Sequence, residues 1–153
     1  MQMYQYKTEH WLPISIGEAW KFFSSPKNLS LITPPELDFK ILSSLDSETY
    51  EGMIIDYKVK PLLGIVVRWQ TEIIKVEPGK YFTDRQVRGP YKVWEHTHTF
   101  TESNGGVLMH DEVQYELPLS FIGNIAHHLF VRGRIEGIFN YRKKALNKMF
   151  ANT

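Results

Sequence analysis

The stretch FIGNIAHHLFVRGRIEGIFNYRKKALNKMF, residues 121–150, limits the possible folds more than any other. Apolar side chains recur at 122, 125, 129, 135, 138, 139, 146 and 149 or 150, and the Arg142 stem falls on the same stripe. That spacing is close to helical period. Lys143, Lys144 and Lys148 come late, where cations complement the helix dipole. One long amphipathic helix over 121–150 is therefore expected. Gly133 and Gly137 each cost roughly 1 kcal/mol relative to alanine inside it. A close approach to a sheet, or a slight bend, would account for them. Such a helix needs something to cover its apolar stripe.

The rest of the chain supplies strands. YQYKTEHWLPI alternates and reads as a first strand over 3–12. Ser15 is placed to cap a short helix over 16–24, and Glu18 completes a capping box. A second short helix starts at Ser25-Pro26 and is stopped by Pro34-Pro35. From Leu37 to Leu117 the pattern is strand and turn: FKILSSL, GMIIDYKVKP, GIVVRWQTEIIKVEPG, KYFTDRQVR, YKVWEHTHTF and GVLMHDEVQYELP. Pro78-Gly79, Gly89-Pro90 and Asn104-Gly105 punctuate them, the last being a strong hairpin signal. Successive strands on short turns pair as an antiparallel meander. The expectation is an α+β fold in one domain, residues 1–153: a curved seven-stranded antiparallel sheet wrapped around the long C-terminal helix. Two short helices lie between strands 1 and 2. A sheet larger than the helix can fill leaves space between them.

Composition narrows the functions. Eighteen Lys and Arg face 17 Asp and Glu, a net charge of +1, which gives no electrostatic footprint for nucleic acid. No apolar run is long enough to span a membrane, and MQMYQYKTEHW lacks the layout of a signal peptide, so a cytoplasmic protein is expected. The absence of cysteine excludes disulfides, thiolate zinc sites and a cysteine nucleophile. Aromatic residues reach 14%, enough to line a pocket as well as a core.

Strand alternation then sorts side chains by face. Trp94, His96, His98 and Phe100 share one face of KVWEHTHTF, and the two large aromatics assign that face to the concave side. Phe82, Asp84 and Gln86 go together on the preceding strand. On the following one Asp111, Val113, Tyr115 and Leu117 oppose a wholly polar set. Trp69 lies with Val67, Thr71 and Ile73. The concave face is thus mostly apolar, with a polar cluster of Asp84, Gln86, His96, His98 and Asp111 on three successive strands. The ligand-binding residues expected are Trp69, Phe82, Asp84, Gln86, Trp94, His96, His98, Phe100, Asp111 and Tyr115. His10, His110, His127 and His128 are expected at the surface or rim. Arg142 either reaches a carboxylate or snorkels outward. KPLLGIVV and TPPEL are candidate rims of the pocket.

The stretches NLSLITPPEL, GMIIDYKVKPLLGIVVRWQTEI, DRQVRGPYKVWEHTHTF, DEVQYELPL and RGRIEGIFNYR carry a resemblance that spans essentially the whole chain. In this order of elements the chain resembles the helix-grip fold of the START-related superfamily, with its birch pollen allergen relatives, lipid-transfer domains and polyketide cyclases. Its motifs are similar to those of the bacterial SRPBCC ligand-binding family, in a group some of whose members bear the label cell division inhibitor. The resemblance implies the fold and a binding cavity, and it leaves the activity to be argued from the site.

Three readings of the polar cluster follow. It fixes strand register with no ligand role; it orients a ligand in an apolar pocket; or it performs acid–base or metal chemistry. His-x-His with Asp84 or Asp111 is a weak metal motif alone, and no serine or cysteine nucleophile sits in a recognisable elbow. The expectation is a binder of a hydrophobic small molecule, lipid, aromatic or polyketide-like, with no cofactor and no metal. The alternatives are a cyclase, dehydratase or hydrolase with a His–Asp pair, and a ligand-free regulatory module. No partner protein is specified.

Overall fold

The computed structural model describes residues 2–43, 48–60, 64–118 and 124–151, with side chains of the last segment described from residue 129. The chain runs β1 (Met3–Leu12), α1 (Ile16–Phe23), two 3-10 segments (Pro26–Ile32 and Pro35–Leu37), β2 (Lys40–Ile41), β3 (Ile54–Val59), β4 (Val67–Glu77), β5 (Tyr81–Arg88), β6 (Val93–Ser103), β7 (Gly106–Glu116) and α2 (Asn124–Phe150). The strands form one sheet in the order β1-β7-β6-β5-β4-β3-β2, every neighbouring pair antiparallel. This is the expected α+β arrangement, a curved seven-stranded sheet with a long C-terminal helix.

Local chemistry sets the boundaries. Ser15 is the N-cap of α1, its Oγ accepting from the Glu18 N–H at 3.1 Å. The expected second short helix is a 3-10 turn, interrupted where Thr33 and Pro34 adopt extended backbone before a following proline. Asn104 (φ 49°) and Gly105 (φ 74°) both take left-handed backbone between the paired Ser103 and Gly106, the two-residue hairpin that Asn-Gly favours. β2 pairs over Lys40 and Ile41 alone, shorter than the run FKILSSL suggests, and part of that run lies outside the described residues. The β4–β5 ladder shifts register between Gln70 and Thr71 and again between Ile73 and Lys75. Such bulges bend strands and raise their twist, which helps a sheet curl around a helix.

The buried stripe of α2 is Val131, Ile135, Phe139 and Leu146. Leu129, expected on that stripe, is 63% exposed, because the inward face is set by Val131 two residues later. Gly133 and Gly137 are exposed, and a methyl group at either would meet nothing within 4 Å, so neither marks a close approach to the sheet. α2 joins three apolar clusters. Val131, Ile135 and Phe139 pack with Tyr6, Val113 and Tyr115. Ile138 packs beside Leu37, Val59 and Trp69. Leu146 closes the largest, with Leu12, Trp20, Phe82 and Phe100. Among the described residues no helix is long and apolar enough to cross a membrane.

Candidate functional site

Between α2 and the middle of the sheet lies a cavity of about 160 Å³. Its walls come from the 3-10 segments (Pro26, Leu29, Leu37), from β3 and β4 (Ile55, Tyr57, Trp69, Thr71, Ile73), from β5 and β6 (Phe82, Asp84, Trp94, His96, His98) and from α2 (Ile138, Arg142). Most of that wall is hydrocarbon or aromatic face. The acidic and basic groups, Asp84, His96, His98 and Arg142, gather where β5, β6 and α2 meet.

Register explains that gathering. Asp84 is directly opposite His96, and His98 is directly opposite Asp111. Each imidazole makes its shortest contact diagonally, however. His98 Nε2 is 3.1 Å from Asp84 Oδ2, and His96 Nε2 is 2.8 Å from Asp111 Oδ1. The second nitrogens complete a ring of contacts: His98 Nδ1 is 3.2 Å from Asp111 Oδ1, and His96 Nδ1 is 3.9 Å from Asp84 Oδ2. The two imidazoles lie tilted at 33° with centroids 3.7 Å apart, and Phe82 stacks on His98 at 4.2 Å. Arg142 reaches in from α2, its Nη1 3.9 Å from Asp111 Oδ1 and its guanidinium carbon 4.9 Å above the Phe139 ring. Its side chain is 11% exposed, so of the two orientations open to it the guanidinium turns inward.

Both histidines are buried, and their contacts with the carboxylates and with each other set their pKa values apart. Burial alone pulls the His98 imidazole down, but its contacts with Asp111 and Asp84 outweigh this and raise its pKa. His96 goes the other way: burial and then the charge on His98 lower it despite Asp111. Asp111 resists its own burial because both histidines hold its carboxyl well below the usual carboxylate range. Desolvation lowers Arg142, with Asp111 and Asp84 opposing the shift. His98 therefore holds a proton more readily than His96, beside the Asp111 carboxylate and the Arg142 guanidinium. A buried network of this kind avoids the high cost of an isolated charge.

Six of the ten residues expected in the site line the cavity: Trp69, Phe82, Asp84, Trp94, His96 and His98. Four are elsewhere. Asp111 stands behind the imidazoles and positions them. Phe100 packs beyond the cavity end against Trp20 and Phe23. Tyr115 is fully buried beside Tyr4 and Tyr91. Gln86 turns back on its own hairpin, donating to the Tyr91 carbonyl at 2.7 Å and accepting from the Tyr91 N–H at 3.2 Å. Tyr57 and Thr71 were not singled out by sequence, yet their hydroxyls meet at 3.3 Å in the wall. Alternation puts Thr71 on the concave face beside Trp69, and Tyr57 carries no such assignment. Thr33 and Leu37 of TPPEL do line the cavity. In KPLLGIVV, Ile65 and Val66 are exposed, and residues 61–63 lie outside the described residues. His10 is half-buried and bonds Asn147 Oδ1 at 2.8 Å, His110 is exposed near Glu9, and the side chains of His127 and His128 lie outside the described residues.

Among the described residues three buried side-chain nitrogens have no protein partner: His10 Nδ1, the Trp69 indole Nε1 and the Arg142 Nε. Trp69 and Arg142 line the cavity, and a buried N–H left unmade costs about 1–3 kcal/mol.

No protein-family model matches the chain, and neither does any curated protein sequence. Solved structures do. The Zhui aromatase/cyclase from Streptomyces sp. R1128 superposes with a TM-score of 0.78 at 10% identity, over 98% of this chain and 94% of that one. The di-domain aromatase/cyclase StfQ of the steffimycin pathway gives 0.74 at 10% identity, over 98% of this chain and 51% of that one. Ara h 8.0201 gives 0.62 at 11% identity, over 96% and 99% of the two chains. What these proteins share with this chain is the helix-grip fold, a curved antiparallel sheet closed around a C-terminal helix.

Proposed function

We propose that this protein binds a small apolar molecule carrying at least one hydrogen-bond acceptor in the cavity between sheet and α2. One observation carries the reading: a mostly apolar cavity of about 160 Å³ in which Asp84, His96, His98 and Arg142 form a single charged cluster. Few polar groups in an apolar lining is the usual make-up of a small-molecule site. Size limits the ligand, since an apolar cavity of roughly 150 Å³ holds a single benzene ring. A one-ring aromatic or a short acyl chain fits as the walls stand, and a fused polycycle requires them to move. A role without nucleic acid agrees with the net charge of +1. The test is native mass spectrometry and thermal shift with a phenol, a medium-chain fatty acid and a tricyclic aromatic ketone. The one-ring and acyl compounds are expected to bind and to lose affinity when Trp69 is changed to Phe. Failure of all three compounds overturns the reading.

A second reading has specific support. His96 and His98 reach the cavity instead of being sealed from it by Trp94 or Phe100. An imidazole that meets a ligand can move protons, as cyclase or dehydratase chemistry demands. Exchange of the α-hydrogens of a bound aryl ketone in deuterated water tests this. Exchange catalysed by the protein and lost in His98→Gln supports turnover, and its absence with a ketone shown to bind excludes it.

A further inference from the structure

We propose that Asp84, His96 and His98 form a binding site for a divalent transition metal, zinc being best suited, with an open position facing the apolar cavity. The sequence expectation was for no metal, since His-x-His alone is a weak signal. The geometry adds what spacing could not. One ligand atom from each residue lies within 4.8 Å of the others, and all three residues line the cavity. The atoms are Asp84 Oδ2, His98 Nε2 at 3.1 Å from it and His96 Nδ1 at 3.9 Å. Metal–ligand bonds of about 2.0–2.2 Å place tetrahedral ligand atoms roughly 3.3 Å apart. The two distances bracket that value.

The stronger argument is what stands behind the ligands. A ligating histidine needs its other nitrogen held by an acceptor, which fixes the tautomer and turns the lone pair to the metal. Asp111 Oδ1 does this for both rings at once, 2.8 Å from His96 Nε2 and 3.2 Å from His98 Nδ1. Each imidazole then directs its remaining nitrogen towards Asp84. Arg142 in turn stands beside Asp111, and Phe82 packs one face of His98. Two imidazoles and a carboxylate suit zinc in number and type, and three protein ligands are the count that leaves a position free for water or a ligand oxygen. The inference does not depend on the organic ligand, because metal binding is read without one.

The test uses the full chain, stripped with a chelator and titrated with Co(II) and then Zn(II). One equivalent of Co(II) is expected, with the visible absorption of a four-coordinate ion that Zn(II) then bleaches. Asp84→Asn, which keeps the shape of a half-buried side chain, is expected to abolish it, as is His98→Ala. Asp111→Asn is expected to weaken affinity about 10–100-fold while keeping the spectrum. His10→Gln, His110→Gln and the His127→Gln/His128→Gln pair leave it unchanged. No binding at millimolar metal, a six-coordinate spectrum, or undiminished binding in the correctly folded Asp84→Asn protein each overturns the proposal. In those cases the cluster is an ion network of protein groups alone.

Discussion

Replacing Asp111 by Asn tests whether the network depends on a buried carboxylate. The side chain is almost isosteric and keeps one carbonyl oxygen to accept from the histidines. What it removes is the charge. Hydrogen bonds to a charged group contribute about 1.5–3 kcal/mol each, against about 0.5–1.5 for neutral ones. Two histidine contacts converge on Asp111 Oδ1, at 2.8 and 3.2 Å, and both weaken. Arg142, with its Nη1 3.9 Å away, loses the nearest negative charge to a buried guanidinium. The sum is about 3–5 kcal/mol, the usual range for breaking a buried pair by removing one member. For a chain of this length that corresponds to a fall in Tm of roughly 6–20 °C. Urea unfolding of the metal-free protein measures it, with an unchanged m-value as the check that only stability has moved. Adding Arg142→Met separates the terms, because the double variant no longer buries an unbalanced cation. Its loss should be smaller than the sum of the single losses by about 1 kcal/mol or more. A loss below about 1 kcal/mol for Asp111→Asn refutes the reasoning, and strict additivity refutes the role given to Arg142.

Three further outcomes are expected. His10 has a lowered pKa, through burial first and then Lys143, against the hydrogen bond to Asn147 and the more distant charge of Asp111. The unfolded chain therefore takes up the proton first, so stability present above about pH 6.5 is lost as the pH falls from there towards the folded value. His10→Gln should flatten that part of the urea-midpoint profile, and parallel profiles would contradict the assignment. Leu146 is fully buried where α2 meets the largest cluster, so Leu146→Ala should cost about 2–5 kcal/mol by chemical denaturation. A methyl group on Gly106 would collide with the Leu12 carbonyl oxygen and the Trp11 ring, so Gly106→Ala should cost about 1–3 kcal/mol. It should also disturb the Trp11 indole bond to the Ser103 carbonyl, read by tryptophan fluorescence.

Periodicity is a good guide to which face a side chain takes and a poor one to where along the element it ends up. The inward row of β6 and the opposing rows of β5 and β7 were legible because alternation is a local property. Phe100 shares a face with His98, yet strand twist carries it past the cavity to Trp20. Tyr115 shares a face with Asp111 and is carried the other way, to Tyr4 and Tyr91. Asp111 was recognised as a partner of the histidines, but its place behind them depends on diagonal contacts that only the register fixes. The β4–β5 bulges left no sequence mark, and with them went the exact facing of residues near Ile74. On α2 the choice between Leu129 and Val131 turns on helix phase, and both are apolar, so composition does not decide it. Arg142 carried two readings until its neighbours were known.

The strand order has a consequence for how the molecule is made. β1 pairs with β7 from Met3 opposite Glu116 to Leu12 opposite Val107, so β1 borders the strand farthest from it along the chain. A ribosome adding roughly 5–20 residues per second needs about 5–20 s to supply that partner. Meanwhile β2 to β6 can pair as successive neighbours. Closing a loop of about a hundred residues then costs roughly 4 kcal/mol of chain entropy beyond the constant for a short one. Of the seven strands, β1 thus waits longest for its partner. Until β1 is seated, β7 stands as an open edge for any extended chain nearby.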